Sequence, residues 1–201
     1  MNKLSNTAKV LAKIMKVLRG ICTGCAIACA VMLVIGIFLP DTMYGSFVSY
    51  GEQTIELGNL RLELSRDLAP TGSIRLVTCA ILAEAMIALG LGAACLQLLH
   101  KIFAPMAEGK PFDASVSANL RKLGWLSLVA VVAYFMLGGL AATLELSMYD
   151  FHQLFAPDLV TNVTLVHSVG FALLLIPAVL FLLSYVFKYG EELQRQSDET
   201  L

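Results

Sequence analysis

Residues 20–39 read GICTGCAIACAVMLVIGIFL, twenty positions without one formal charge. No other feature restricts the fold as strongly. A bilayer core about 30 Å thick is crossed by about 20 mostly apolar helical residues. Three further segments pass the same test. Residues 75–99 hold one internal acid, Glu84; residues 123–144 hold none; and residues 160–187 hold none but include His167. Away from water the backbone must satisfy its own hydrogen bonds, so such segments are helices. Their runs of Ala, Gly and Leu lack the apolar–polar alternation of barrel strands. The expected fold is an all-α membrane protein, one domain over residues 1–201, with four transmembrane helices. Composition agrees: 58% of the residues are hydrophobic and 14% charged, against roughly a quarter charged in a soluble domain. The first run exceeds a signal-peptide core, and LPDTMYGS behind it offers no A-x-A-like cleavage site, so it reads as a retained span.

Basic residues near the helix ends set the orientation. Lys3, Lys9, Lys13, Lys16 and Arg19 precede the first span, Lys101, Lys110, Arg121 and Lys122 separate the second from the third, and Lys188 and Arg195 follow the fourth. The other side has Arg61, Arg66 and Arg75, so the count is eleven against three. Both termini and the segment 100–122 are therefore expected in the cytoplasm, and 40–74 outside. Localisation follows as a multi-pass cytoplasmic (inner) membrane protein with the bilayer as its first partner.

In the outer segment, Ile55 and Leu57, then Leu60, Leu62 and Leu64, alternate with polar residues around Gly58-Asn59. That pattern predicts an extracytoplasmic β-hairpin-like insertion between helices 1 and 2. It reads as a lid on the helix ends, or alternatively as a sensor surface. The second outer segment, with Tyr149, Phe151, His152 and Phe155, reads as an aromatic interfacial anchor. At the N-terminus, Leu4, Leu11, Ile14, Met15 and Leu18 sit near one helical face among lysines. Residues 1–19 thus form an amphipathic segment that either lies on anionic headgroups or extends the first span.

The segment 100–122 is punctuated rather than featureless. Gly109 is placed to end a helix running past Ile102–Met106, Pro111 blocks its continuation, and Asp113 caps a new helix. Phe112, apolar in a polar turn, is expected to dock on neighbouring helix ends. The tail 188–201 is helix-compatible, with Gly190 a weak point, and its Glu191, Glu192, Asp198 and Glu199 offer partners for the bases of the loop.

EGKPFDASVSANLRKLGW at 108–125 and VFKYGEELQRQSDETL at 186–201 resemble the DUF2975 family of bacterial four-helix membrane proteins, which has no established activity. The resemblance spans most of the chain. It is sharpest at Gly109-Lys110-Pro111-Phe112, Asn119-Leu120-Arg121, Gly124-Trp125, Tyr189-Gly190 and the closing Asp198-Glu199-Thr200-Leu201. It implies a regulatory role by association, because members are often encoded beside a small helix-turn-helix protein. Gly109, Lys110, Pro111, Phe112 and Arg121 become the candidate docking motif for such a cytoplasmic DNA-binding regulator.

Chemistry is harder to place. Cys22, Cys25 and Cys29 share one face of the first helix, but a metal site wants a fourth ligand and supporting groups. They read as small packing residues, as do the Gly20-x-x-x-Gly24, Ala88-x-x-x-Gly92 and Gly90-x-x-x-Ala94 motifs. No phosphate loop, serine elbow or haem-attachment motif occurs. Neither an enzyme nor a cofactor or metal is expected, and a net charge of −1 gives no field for direct nucleic-acid binding. Glu84 and His167 lie about 13 and 10 Å inside their spans at 1.5 Å per residue, so they form a candidate intramembrane polar pair near Thr78, Thr164 or Ser168. The expected function is a non-enzymatic regulatory or interaction protein. A small transporter or toxin-immunity-type protein binding an outer ligand is the alternative, and a homo-oligomer remains open.

Overall fold

The computed structural model describes residues 2–39, 53–57, 60–64, 73–147 and 172–199. Four helices dominate them: α1 (Asn2–Phe38), α2 (Ile74–Ala107), α3 (Ala114–Leu146) and α4 (Ala172–Glu199). Between α1 and α2, β1 (Gln53–Leu57) pairs antiparallel with β2 (Leu60–Leu64), Gln53 opposite Leu64 and Leu57 opposite Leu60. Gly58 and Asn59, on which the turn expectation rests, lie outside the described residues. Each of the four helices contains a stretch long and apolar enough to cross a membrane, as in a multi-pass membrane protein.

The helices run longer than charge alone suggests. α1 is unbroken for 37 residues, about 55 Å at 1.5 Å per residue. The basic segment 1–19 is thus the extension of the first span and not a separate surface helix. α2 likewise continues through His100 and Lys101 to Ala107, and α4 passes through Gly190 to Glu199. Only Glu108–Asp113 separates α2 from α3. Charges do not interrupt a helix; glycine in a left-handed conformation followed by proline does.

The chain divides into two compact units. The first comprises Met1–Ala28, Met86–Tyr134 and Val169–Leu201. Its core is Ile102 of α2 with Val116, Leu120 and Leu123 of α3, joined by Leu98, Leu99 and Met106 of α2 and by Leu180 and Phe187 of α4. α1 joins through buried Ala8 and Ala12. There the His100 ring donates from Nδ1 to the Ala12 carbonyl at 3.0 Å, so Nδ1 carries the proton. The start of α1, end of α2, start of α3 and end of α4 therefore gather together. The second unit comprises Cys29–Ala85 and Phe135–Ser168. In it Ser73 caps α2, its hydroxyl accepting from Leu76 N–H at 3.4 Å. Arg75 donates to the carbonyl of Ile37 in the last turn of α1, where a cation suits the helix dipole.

Large apolar side chains such as Ile27, Val31, Met32 and Val34 of α1 face outward. A soluble protein would hide them. In a membrane the surrounding acyl chains are as apolar as the side chains, and packing relies on small residues and short polar contacts.

Candidate functional site

The elbow joining α2 to α3 is built by local chemistry. Gly109 has φ +85°, a left-handed value that glycine adopts without steric cost. Lys110 N–H donates to Pro105 O at 3.0 Å and Gly109 N–H to Met106 O at 3.2 Å. This pair of bonds closes the α2 terminus as a Schellman motif. Asp113 then opens α3, with its Oδ1 accepting from Ser115 N–H at 2.8 Å and its carbonyl from Val116 N–H at 2.9 Å. The side-chain and backbone hydrogen bonds from Ser115, aided by the charge of Lys110, hold the Asp113 carboxyl below its ordinary value.

Phe112 leaves this elbow and lands on α4. Its ring centroid is 5.9 Å from that of Phe187. The ring lies so close to Gly190 that a Cβ there would stand 2.5 Å from Phe112 Cε1. Gly190 is thus a seat, and the sequence reading of it as a weak point misses this role. A second notch repeats the device in the opposite direction. Gly124 of α3 receives Phe181 of α4, which would stand 3.0 Å from an added Cβ, while Trp125 meets Phe181 edge-on at 5.4 Å. Between the notches Ser184, the one buried polar residue among those described, donates to Ser117 O at 2.9 Å. The Ser117 hydroxyl in turn shares its one proton between Ala114 O at 3.2 Å and Glu191 Oε2 at 3.4 Å.

The docking motif is therefore partly structural and partly free. All five residues are exposed; Gly109 shapes the elbow and Phe112 pins it, while Lys110, Pro111 and Arg121 have no such structural part. The tail acids do not meet the loop bases among the described residues. Glu192 accepts from Arg195 at 2.8 Å, and Glu199 lies 3.8 Å from the same guanidinium, within one helix. Neighbours at i, i+3 and i, i+4 are always within reach, so they outcompete a partner on another element. The resulting surface carries Lys110 on the loop, Arg121 and Lys122 near the start of α3, and on the tail an acidic run in which Glu192 and Glu199 share the one guanidinium of Arg195.

The other candidates are less developed. Glu84 is half-buried on α2 in the second unit, and the Thr78 hydroxyl donates within its own helix to Ile74 O at 2.9 Å. His167, Thr164 and Ser168 lie outside the described residues, as does the second outer segment with Tyr149 and His152. Cys22 and Cys29 are half-buried and Cys25 is exposed, all as free thiols. Among the described residues no three His, Cys, Asp or Glu gather as metal ligands. No family model matches the chain, and no curated protein or solved structure matches it either.

Proposed function

We propose that this chain is a non-catalytic regulatory protein of the cytoplasmic (inner) membrane whose elbow and tail hold a small cytoplasmic DNA-binding regulator. The observation carrying the proposal is the seating of Phe112 against Phe187 and Gly190, which ties the elbow, flanked by Lys101, Arg121 and Lys122 on the adjoining helices, to the emerging tail as one surface. Lys110 and Arg121 are exposed on it, and Phe112, itself partly exposed, anchors it through Phe187 and Gly190. Exposed ion pairs contribute only about 0–1 kcal/mol, so stability alone is a thin reason for so many charges there. The resemblance to DUF2975 proteins supplies the partner class. The eleven-to-three distribution of Lys and Arg supports a cytoplasmic position for this face and an outer one for the β1–β2 insertion.

Affinity purification of the full chain in mild detergent, with identification of what co-purifies, tests the reading. The intact chain should retain a helix-turn-helix protein. A variant with Lys110, Pro111 and Phe112 all replaced by Ala, and with the tail after Tyr189 removed, should lose it. Full retention by that variant, if its helicity and monodispersity are unchanged, rejects this face as the docking site.

A further inference from the structure

A separate feature lies on the flank of the α3–α4 contact. Arg121 and Trp125 stand one turn apart on α3, and Phe181, Tyr185 and Lys188 follow at i, i+4 and i+7 on α4. These spacings put each set on one helix face. The two faces meet where Trp125 packs edge-on against Phe181. Yet Trp125 is 59% exposed and Tyr185 73%, while Arg121, Lys122 and Lys188 are all exposed. Exposed Trp and Tyr beside cations at the end of a span belong at the headgroup level of a bilayer. Toward the charge-free middle, Val129 and Val132 of α3 and Val179 and Leu182 of α4 are also exposed, giving an acyl chain an apolar path. Of the two acids one turn beyond Lys188, Glu192 is engaged by Arg195 and Glu191 faces the Ser117 hydroxyl, and among the described residues Lys188 forms no ion pair with either.

We propose that this flank binds the headgroup of an anionic phospholipid. Arg121, Lys122 and Lys188 supply the charge, with the planar guanidinium able to present two N–H groups to one phosphate. The Tyr185 hydroxyl adds a donor, and the Trp125–Phe181 pair covers the start of the acyl chains. The assignment needs this end to be a membrane boundary. It does not depend on which compartment that boundary faces, nor on a protein docking at the elbow.

The test uses the full chain purified in a neutral detergent, with lipid retention read by native mass spectrometry and stability by thermal shift. Three probes are added separately: phosphatidylglycerol, phosphatidylcholine and glycerol 3-phosphate. Phosphatidylglycerol should be retained and should raise the melting temperature, and the other two should do neither. Each headgroup cation removed should weaken binding roughly fivefold, so Arg121→Ala with Lys188→Ala should lose about 25-fold. Lys9→Ala with Lys13→Ala, on α1, whose Ala12 meets His100 of α2, should stay within about twofold of the parent if binding is local and not diffuse. Equal retention of phosphatidylcholine overturns the proposal, as does an equal shift with glycerol 3-phosphate or an equal loss in the α1 variant. Should the double variant fail to fold, Lys188→Gln alone decides: a loss of about fivefold supports the site, and unchanged affinity removes it.

Discussion

Replacing Gly190 with Ala separates the seat from the helix that carries it. The new Cβ would stand 2.5 Å from Phe112 Cε1 and 2.6 Å from Cδ1. Carbon atoms rest about 3.5–4.0 Å apart, so the ring must withdraw by about 1 Å. Overfilling a packed site costs about 1–3 kcal/mol, and displacing the ring also forfeits some of the Phe112–Phe187 contact, a type of pair worth about 0.5–1.5 kcal/mol beyond its buried area. Against this, Ala is favoured over Gly inside a helix by about 1 kcal/mol. Gly190→Ala should therefore destabilise the parent by about 0–2 kcal/mol. In a Phe112→Ala background the clash is gone, and the same change should stabilise by about 1 kcal/mol. The coupling from the double-mutant cycle should then be about 1–3 kcal/mol. Denaturant titration of the four forms in one mild detergent measures it, and hydrogen exchange at residues 108–113 shows whether the elbow has loosened. Equal effects of Gly190→Ala in both backgrounds, within about 0.5 kcal/mol, would refute the seat.

Gly109→Ala forces a side chain into the left-handed conformation at φ +85° and should cost about 1–2 kcal/mol. Gly109→Asn should recover part of that in the same thermal melts. Asp113 has a lowered carboxyl pKa, so its capping contribution is complete above the unfolded value and disappears as pH falls through the folded one. Exchange protection of the Ser115 and Val116 amides should drop in that acidic window, and Asp113→Asn should flatten the dependence. Ser184→Ala deletes the bond to Ser117 O and should cost about 0.6 kcal/mol, the average for polar contacts between membrane helices. A neutral result in a denaturant titration would show that the Ser117 carbonyl is satisfied elsewhere.

The parts of the fold written in local chemistry were legible from sequence. The four apolar runs, the helix stop at Gly109 and the cap at Asp113 each depend on residues within a few positions, and the backbone follows them. The extent of the helices was less visible. The apolar runs 75–99 and 123–144 stop short of Lys101 and Lys122, yet both lie inside helices, as the stop at Gly109 and the cap at Asp113 indicated, because helical propensity tolerates a solvated charge. Tertiary partners were hidden for a different reason. Phe112 was expected to dock, but nothing near it in sequence identifies Gly190, whose need to be glycine arises only when α4 lies alongside. Among the described residues the tail acids do not pair with the loop bases: Arg195, one helical turn away, takes Glu192 and Glu199, and Glu191 faces the Ser117 hydroxyl. Gly124-Trp125 and Tyr189-Gly190, noted for their resemblance to a family, coincide with the two aromatic notches.

A cytoplasmic regulator can dock only if the elbow and tail face the cytoplasm, and cysteine accessibility in intact cells tests this most directly. In a background with Cys22, Cys25, Cys29, Cys79 and Cys95 replaced by Ser or Ala, Leu60→Cys and Ser115→Cys are labelled separately with a membrane-impermeant maleimide. The expected result is modification at position 60 in intact cells, and at position 115 only after the membrane is opened. Labelling at 115 but not at 60 in intact cells would turn the protein over and remove the cytoplasmic docking face.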